Sequence, residues 1–202
     1  DVVHADSSPM NLGRMWTHAV GHTGGYYPRG AFGMEAFCTD GYWDTGHTWT
    51  EGLLHLYLAT GNERFKEAGI MVADQLAEYT SVDFRMGTER QGGWPIIAMV
   101  AAYEATCDPY YLNAAKLFAR GAIEKQDPQR GVWPHRIGEC KHEPAHIGGK
   151  TFMAGVLSTG LSRLHQALAE DKQTAEFRAQ VAQSLLKGCD WMLNESWQED
   201  VG

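Results

Sequence analysis

The sequence predicts an all-α protein assembled from helical hairpins. Three observations carry that expectation. Apolar residues recur at helical spacing in several segments, each long enough for three turns or more. Turn residues such as Gly61-Asn62 and Cys107-Asp108-Pro109 split those segments into pairs. The pattern also repeats: Asn62-Glu63-Arg64-Phe65 and Asp108-Pro109-Tyr110-Tyr111 open comparable second helices 46 residues apart.

Residues 1–48 come first and show no sustained period; they read as an irregular, loop-rich N-terminal segment. Glycines from Gly13 to Gly46, with Pro9 and Pro28, punctuate them. A loop of this length in a compact domain is usually functional. From Thr48 the pattern turns helical, with Trp49, Leu53, Leu56 and Tyr57 on one stripe. Thr48 and Glu51 have the spacing of a capping box. After Gly61-Asn62 a second helix is expected from about Glu63 to Thr80, with Phe65, Ala68, Ile70, Val72, Ala73 and Leu76 inward. The second hairpin is introduced by Gln91-Gly92-Gly93. It runs through Trp94 and the apolar stretch to Tyr103, turns at Cys107-Asp108-Pro109, and returns from Tyr110 to about Lys125. The third starts near Lys150-Thr151-Phe152, turns between Glu170 and Thr174, and returns from Ala175 to about Asn194. Charges such as Glu63, Arg64, Lys66 and Glu67 are expected on the solvated faces of the returning helices.

Hairpins of this size either stack into a solenoid or close into a toroid. The segments before Trp49, Trp94 and Phe152 are long and chemically rich. That favours part of an (α/α) toroid with its Gly/aromatic loops on one face, over a solenoid with plain turns and a period near about 34 residues.

The composition bounds the function. The 202 residues suit a single domain, and 44% hydrophobic with 21% charged residues is ordinary for a globular protein. A net charge of −8 argues against nucleic acid as a partner. No apolar run reaches the roughly 18 residues of a membrane span, so no membrane partner is expected. The chain starts at Asp1, which fits either a processed secreted or periplasmic protein or an excised piece. Cys107 and Cys189 fall within helical patterns and read as buried free thiols. Cys38 and Cys140 lie in loops, where pairing is open. Cys140-x-His142-x3-His146 has zinc-type ligands, but its spacing matches no closed motif. No phosphate-binding loop, dinucleotide fingerprint or nucleophile elbow is present; the reading assigns no metal and no cofactor.

The stretch Gly46-His47-Thr48-Trp49-Thr50-Glu51-Gly52-Leu53-Leu54-His55-Leu56-Tyr57-Leu58-Ala59-Thr60-Gly61-Asn62 carries a resemblance. It resembles a hairpin of the six-hairpin glycosidase-like (α/α)6 toroid superfamily. Within that group it is most similar to bacterial exo-acting polysaccharide-degrading proteins of the rhamnogalacturonan lyase kind. Gly46-His47, Thr48-Trp49, Glu51-Gly52 and Thr60-Gly61 match, with Asn62 where Asp is commoner. The close match covers about residues 41–75, with looser hairpin periodicity to 194. A complete toroid of six hairpins takes on the order of 300 residues or more. Three hairpins therefore imply a piece of a larger enzyme, with the remainder as its partner, or a small domain that borrows the hairpin.

The resemblance implies carbohydrate as substrate, and the residues offer two chemistries. A hydrolase needs two carboxyl groups across the glycosidic bond. Asp44, Glu51, Glu35, Asp40 and Glu139 are the candidates, with Asp44 best placed beside Trp43 and His47. Glu51 is equally readable as a helix cap. A uronate lyase needs a cation on the carboxylate, a Tyr or His base, and an acid for the leaving oxygen. The loops are rich in such groups: most of the nine histidines lie there, and His55 and His165, in mid-helix, read as structural. The catalytic candidates are His18, His22, Tyr26, Tyr27, Asp44, His47 and His135. The substrate-binding candidates are Tyr42, Trp43, Trp49, Arg90, Trp94, Trp133 and Arg136. Loop His, Tyr and Arg outnumber well-placed carboxyl pairs, which leans the reading toward β-elimination at a uronic acid. Hydrolysis, isomerisation and noncatalytic sugar binding stay open.

Overall fold

A computed structural model describes residues 45–79, 84–137, 143–170 and 172–196. Among these the chain is mostly helical, with six α-helices and one two-stranded ribbon. The helices are α1 (Glu51–Thr60), α2 (Glu63–Tyr79), α3 (Glu89–Thr106), α4 (Pro109–Lys125), α5 (Thr151–Ala167) and α6 (Ala175–Trp191). Strands β1 (His135–Arg136) and β2 (Ile147–Gly148) pair antiparallel between α4 and α5, with His135 opposite Gly148. None of the described helices is long and apolar enough to cross a membrane.

The helices pair in sequence as three hairpins. The first helices, α1, α3 and α5, lie side by side with α3 in the centre, and α2, α4 and α6 pack behind them. The core follows from this layering. Val72, Ala73 and Leu76 of α2, Ala115, Phe118 and Ala119 of α4, and Leu157, Leu161 and Leu164 of α5 are fully buried around α3.

Helix α3 is the pivot, and its sequence explains why. Its buried positions run from Glu89 through Gly92, Gly93 and Pro95 to Ala102, with Ala98 and Ala101 among them. A Cβ on Gly93 would lie 2.7 Å from the Leu157 backbone nitrogen, and one on Gly160 would lie 2.8 Å from the Gly93 carbonyl oxygen. The two backbones meet closely only because both positions are glycine. Reading Gly92-Gly93 as the lead-in to a helix is therefore corrected: α3 begins at Glu89 and contains both. The start is set by Gln91, whose side-chain oxygen accepts from the Thr88 backbone N–H at 3.0 Å. Pro95 inside the helix cannot donate to the Gln91 carbonyl four residues back. The hydroxyl of Thr45 donates to that carbonyl instead, at 3.0 Å.

Two more expectations at helix ends are overturned. The Thr48–Glu51 capping box does not form: α1 starts at Glu51, with Thr50 before it and no side-chain cap. Residues 48–50 run on without helix, with Trp49 against Trp94 of α3, so the helix starts later than the spacing predicts. The expected stripe of Trp49, Leu53, Leu56 and Tyr57 is not the packed face either. Leu54 is the buried residue of α1, while Trp49 and Leu56 are 41% and 46% exposed. Cys107 is no buried thiol; it is exposed at the end of α3 in the left-handed region, φ 57°. Cys189 is half-buried, and Cys38 and Cys140 lie outside the described residues.

Candidate functional site

Several segments meet at the N-terminal end of α3. Thr45, ahead of α1, bonds Gln91. Lys150, just before α5, donates its backbone N–H to Glu89 Oε1 at 3.0 Å. His135 of β1 brings Nδ1 to 3.2 Å from Glu89 Oε2. Lys125, at the end of α4, donates to the Met86 and Gly87 carbonyls ahead of the helix, both at 2.7 Å. A helix N-terminus presents unsatisfied N–H groups and a positive dipole end, so this junction favours negative charge.

Glu89 and His135 form a buried acid–base pair. Their side chains are 0% and 7% exposed. Neither Glu89 Oε2 nor His135 Nδ1 has a well-aligned hydrogen bond, although the two atoms face each other at 3.2 Å. Burial pushes the Glu89 carboxyl above its ordinary value of 4.5, because desolvation disfavours the charged form. Its own backbone N–H, the His135 charge, the Lys150 N–H and Lys125 pull the other way, and burial wins. Lys125 is shifted down from its ordinary value by its own burial, against the opposing pull of Glu89. The wall is tight: a Cβ on Gly149 would fall 2.9 Å from Glu89 Oε1 and 2.8 Å from Val132 Cγ2.

Arg90 follows Glu89 in the first turn of α3. Its Nε is buried and has no hydrogen-bond partner among the described residues. One turn on, Trp94 meets Trp49 edge to face, with ring centroids 5.7 Å apart and planes at 73°. Trp94 is half-buried and Trp49 exposed, so the pair keeps ring surface open to solvent. Such surface suits the apolar faces of a sugar ring.

The other candidates divide as follows. His18, His22, Tyr26, Tyr27, Tyr42, Trp43 and Asp44 lie outside the described residues. His47 closes a short turn, Thr45–His47, packed beside α3. Arg136 is exposed and pairs with Glu143 at 2.7 Å. Trp133 is a correction. It is fully buried, and its Nε1 donates to the Ala122 carbonyl at 3.1 Å. A ring enclosed on all sides and with its one donor used belongs to the core, not to a sugar face.

Glu89 itself is absent from the sequence-derived candidates. The signal that could have found it is Thr88-x-x-Gln91, which marks a helix start and puts Glu89 in the first turn. A second ionic group crosses the front layer. Glu51 of α1 pairs with Arg163 of α5, and His55 lies 3.8 Å from Glu51 and 3.9 Å from Glu104 of α3. Glu51 is thus an interhelix ion-pair partner. Among the described residues no group of three His, Cys, Asp or Glu side chains converges to hold a metal; Cys140 and His142 lie outside them.

Comparison with protein-family models, curated proteins and solved structures finds no match to this chain.

Proposed function

We propose that this chain belongs to an (α/α)-toroid carbohydrate-active enzyme of the periplasm or cell exterior that cleaves an acidic polysaccharide or oligosaccharide by β-elimination. The observation that carries the reading is the end of α3, where the buried Arg90 Nε, without a hydrogen-bond partner among the described residues, follows directly on the Glu89–His135 pair. A guanidinium at a helix N-terminus is suited to a carboxylate. In this role Arg90 neutralises the C6 carboxylate of a uronic acid and makes the C5 proton acidic. His135 takes that proton through Nε2, the nitrogen turned from Glu89. The electron pair forms the C4–C5 double bond, the C4–O bond breaks, and the leaving oxygen takes a proton. The sequence-derived candidates for that last proton donor are His18, His22, His47, Tyr26 and Tyr27, of which all but His47 lie outside the described residues. Trp49 and Trp94 stack on the sugar rings.

Layering supports the scaffold part of the proposal. Three consecutive hairpins with their first helices in one layer and their second helices behind is the arrangement an (α/α) toroid repeats. The test is incubation with pectic and ulvan-type polyuronates. Elimination gives an unsaturated uronate and a rise in ultraviolet absorbance. Release of reducing ends without that absorbance would replace the reading with hydrolysis, the route for which Asp44 is the sequence-derived acid. Binding without turnover would reduce the protein to a sugar-binding module.

A further inference from the structure

We propose that Glu89 is a positioning residue that holds His135 in the Nδ1–H tautomer, so that Nε2 carries the free electron pair. The inference deepens the reading of His135 as base and rests on it for its catalytic meaning. Its geometric content stands apart from any substrate.

The two oxygens of Glu89 face different groups. Oε1 accepts the Lys150 backbone N–H at 3.0 Å. That donor is fixed, because it belongs to the residue that precedes α5. Oε2 is therefore the atom left for His135, at 3.2 Å from Nδ1. Both side chains are more than nine-tenths buried, and neither of these two atoms has another partner among the described residues. A buried polar atom without a partner is costly, so a small rotation of the imidazole that closes this bond is favoured. A carboxylate can only accept, so the proton between the two groups sits on Nδ1. Gly149 backs Oε1 closely: a Cβ there would lie 2.9 Å from it.

The same geometry makes Glu89→Gln informative. The fixed Lys150 N–H needs an acceptor and takes the carboxamide oxygen. The carboxamide NH2 is then turned toward His135 and donates to Nδ1. That forces the proton to Nε2 and removes the base. A comparable exchange of carboxylate for carboxamide beside a catalytic histidine lowers turnover by about 10⁴-fold through the wrong tautomer.

The experiment is long-range ¹H–¹⁵N correlation NMR of the ¹⁵N-labelled full chain, with His135→Ala to assign the signal. In mildly alkaline buffer, wild-type His135 is expected in the Nδ1–H form and Glu89→Gln in the Nε2–H form. An Nε2–H wild type would overturn the proposal, and that outcome does not depend on Glu89→Gln folding. A folded Glu89→Gln protein that keeps the wild-type tautomer would overturn it equally. If polyuronates are eliminated, Glu89→Gln is expected to lose at least about 100-fold in kcat with KM nearly unchanged, and Glu89→Asp to recover part of it. Failure of elimination with the expected tautomers would sink the enzymatic reading and leave the positioning geometry intact.

Discussion

Two Glu–His contacts in this protein use the same residue types and differ in their surroundings. Glu89 and His135, at the N-terminal end of the central helix, are 0% and 7% exposed. Glu51 and His55, on the short flanking helix α1, are 26% and 46% exposed and share their charges with Arg163 and Glu104. The second group can exchange its contacts for water at little cost. The first cannot, because each atom that loses its partner there is left in a dry, close-packed wall. A pair that is costly to build and hard to rearrange is the kind of constellation on which proton-transfer chemistry is built. The exposed group does the ordinary work of tying α1 to its neighbours.

The largest effect that sharpens this comparison is expected from Glu89→Ala. It orphans the Lys150 N–H and leaves a cavity at a fully buried position, and should cost about 2–3 kcal/mol in urea unfolding. A cost below roughly 1 kcal/mol, the range of surface pairs, would erase the distinction between the two groups.

The pH dependence comes next. The folded-state pKa of Glu89 is raised above the ordinary 4.5, so the folded protein holds that proton more tightly than the unfolded chain. Its stabilising contribution is complete below the ordinary value and is lost as pH rises through the raised one. Stability of the wild type should therefore fall relative to Glu89→Gln as pH increases upward from 4.5. His135, Lys125 and the Lys150 N–H all favour the charged form, so they limit the loss without reversing its sign. A wild type that gains stability relative to Glu89→Gln as pH rises would contradict the burial argument.

The smallest effect belongs to the exposed group. Glu51→Gln removes the charge that Arg163 and His55 share, and should cost less than about 1 kcal/mol, with a dependence on salt. A larger, salt-independent loss would mean that α1 and α5 are held together by this contact rather than by packing on α3.

Much of the fold was legible in the sequence. The turn at Gly61-Asn62, the Asp108-Pro109 start of α4 and the apolar spacing of α2, α5 and α6 are local signals, and local physics decides them. What failed was set by tertiary contacts. Gly92, Gly93 and Pro95 carry the signs of a helix breaker, yet they lie inside α3. The glycines meet a second helix backbone, and a hydroxyl from Thr45 covers the carbonyl that Pro95 leaves free. The candidate site was legible in part. His135 and Arg90 were visible as polar groups in rich segments. Trp133, two residues from His135, looked equally exposed by its neighbours and turned out to be core. Glu89 was hidden because a single acid in front of an apolar run reads as a helix-start residue, and its partners, His135 and Lys150, lie far along the chain: Lys150 is 61 residues on.

The most direct measurement of the central claim is the ultraviolet assay on polyuronates with wild type and His135→Ala in parallel. The account predicts a growing unsaturated-uronate signal from the wild type and a loss of at least about 100-fold in the variant, the usual scale for a general base, while the variant keeps its helical circular dichroism. Undiminished elimination by a folded His135→Ala protein would contradict it.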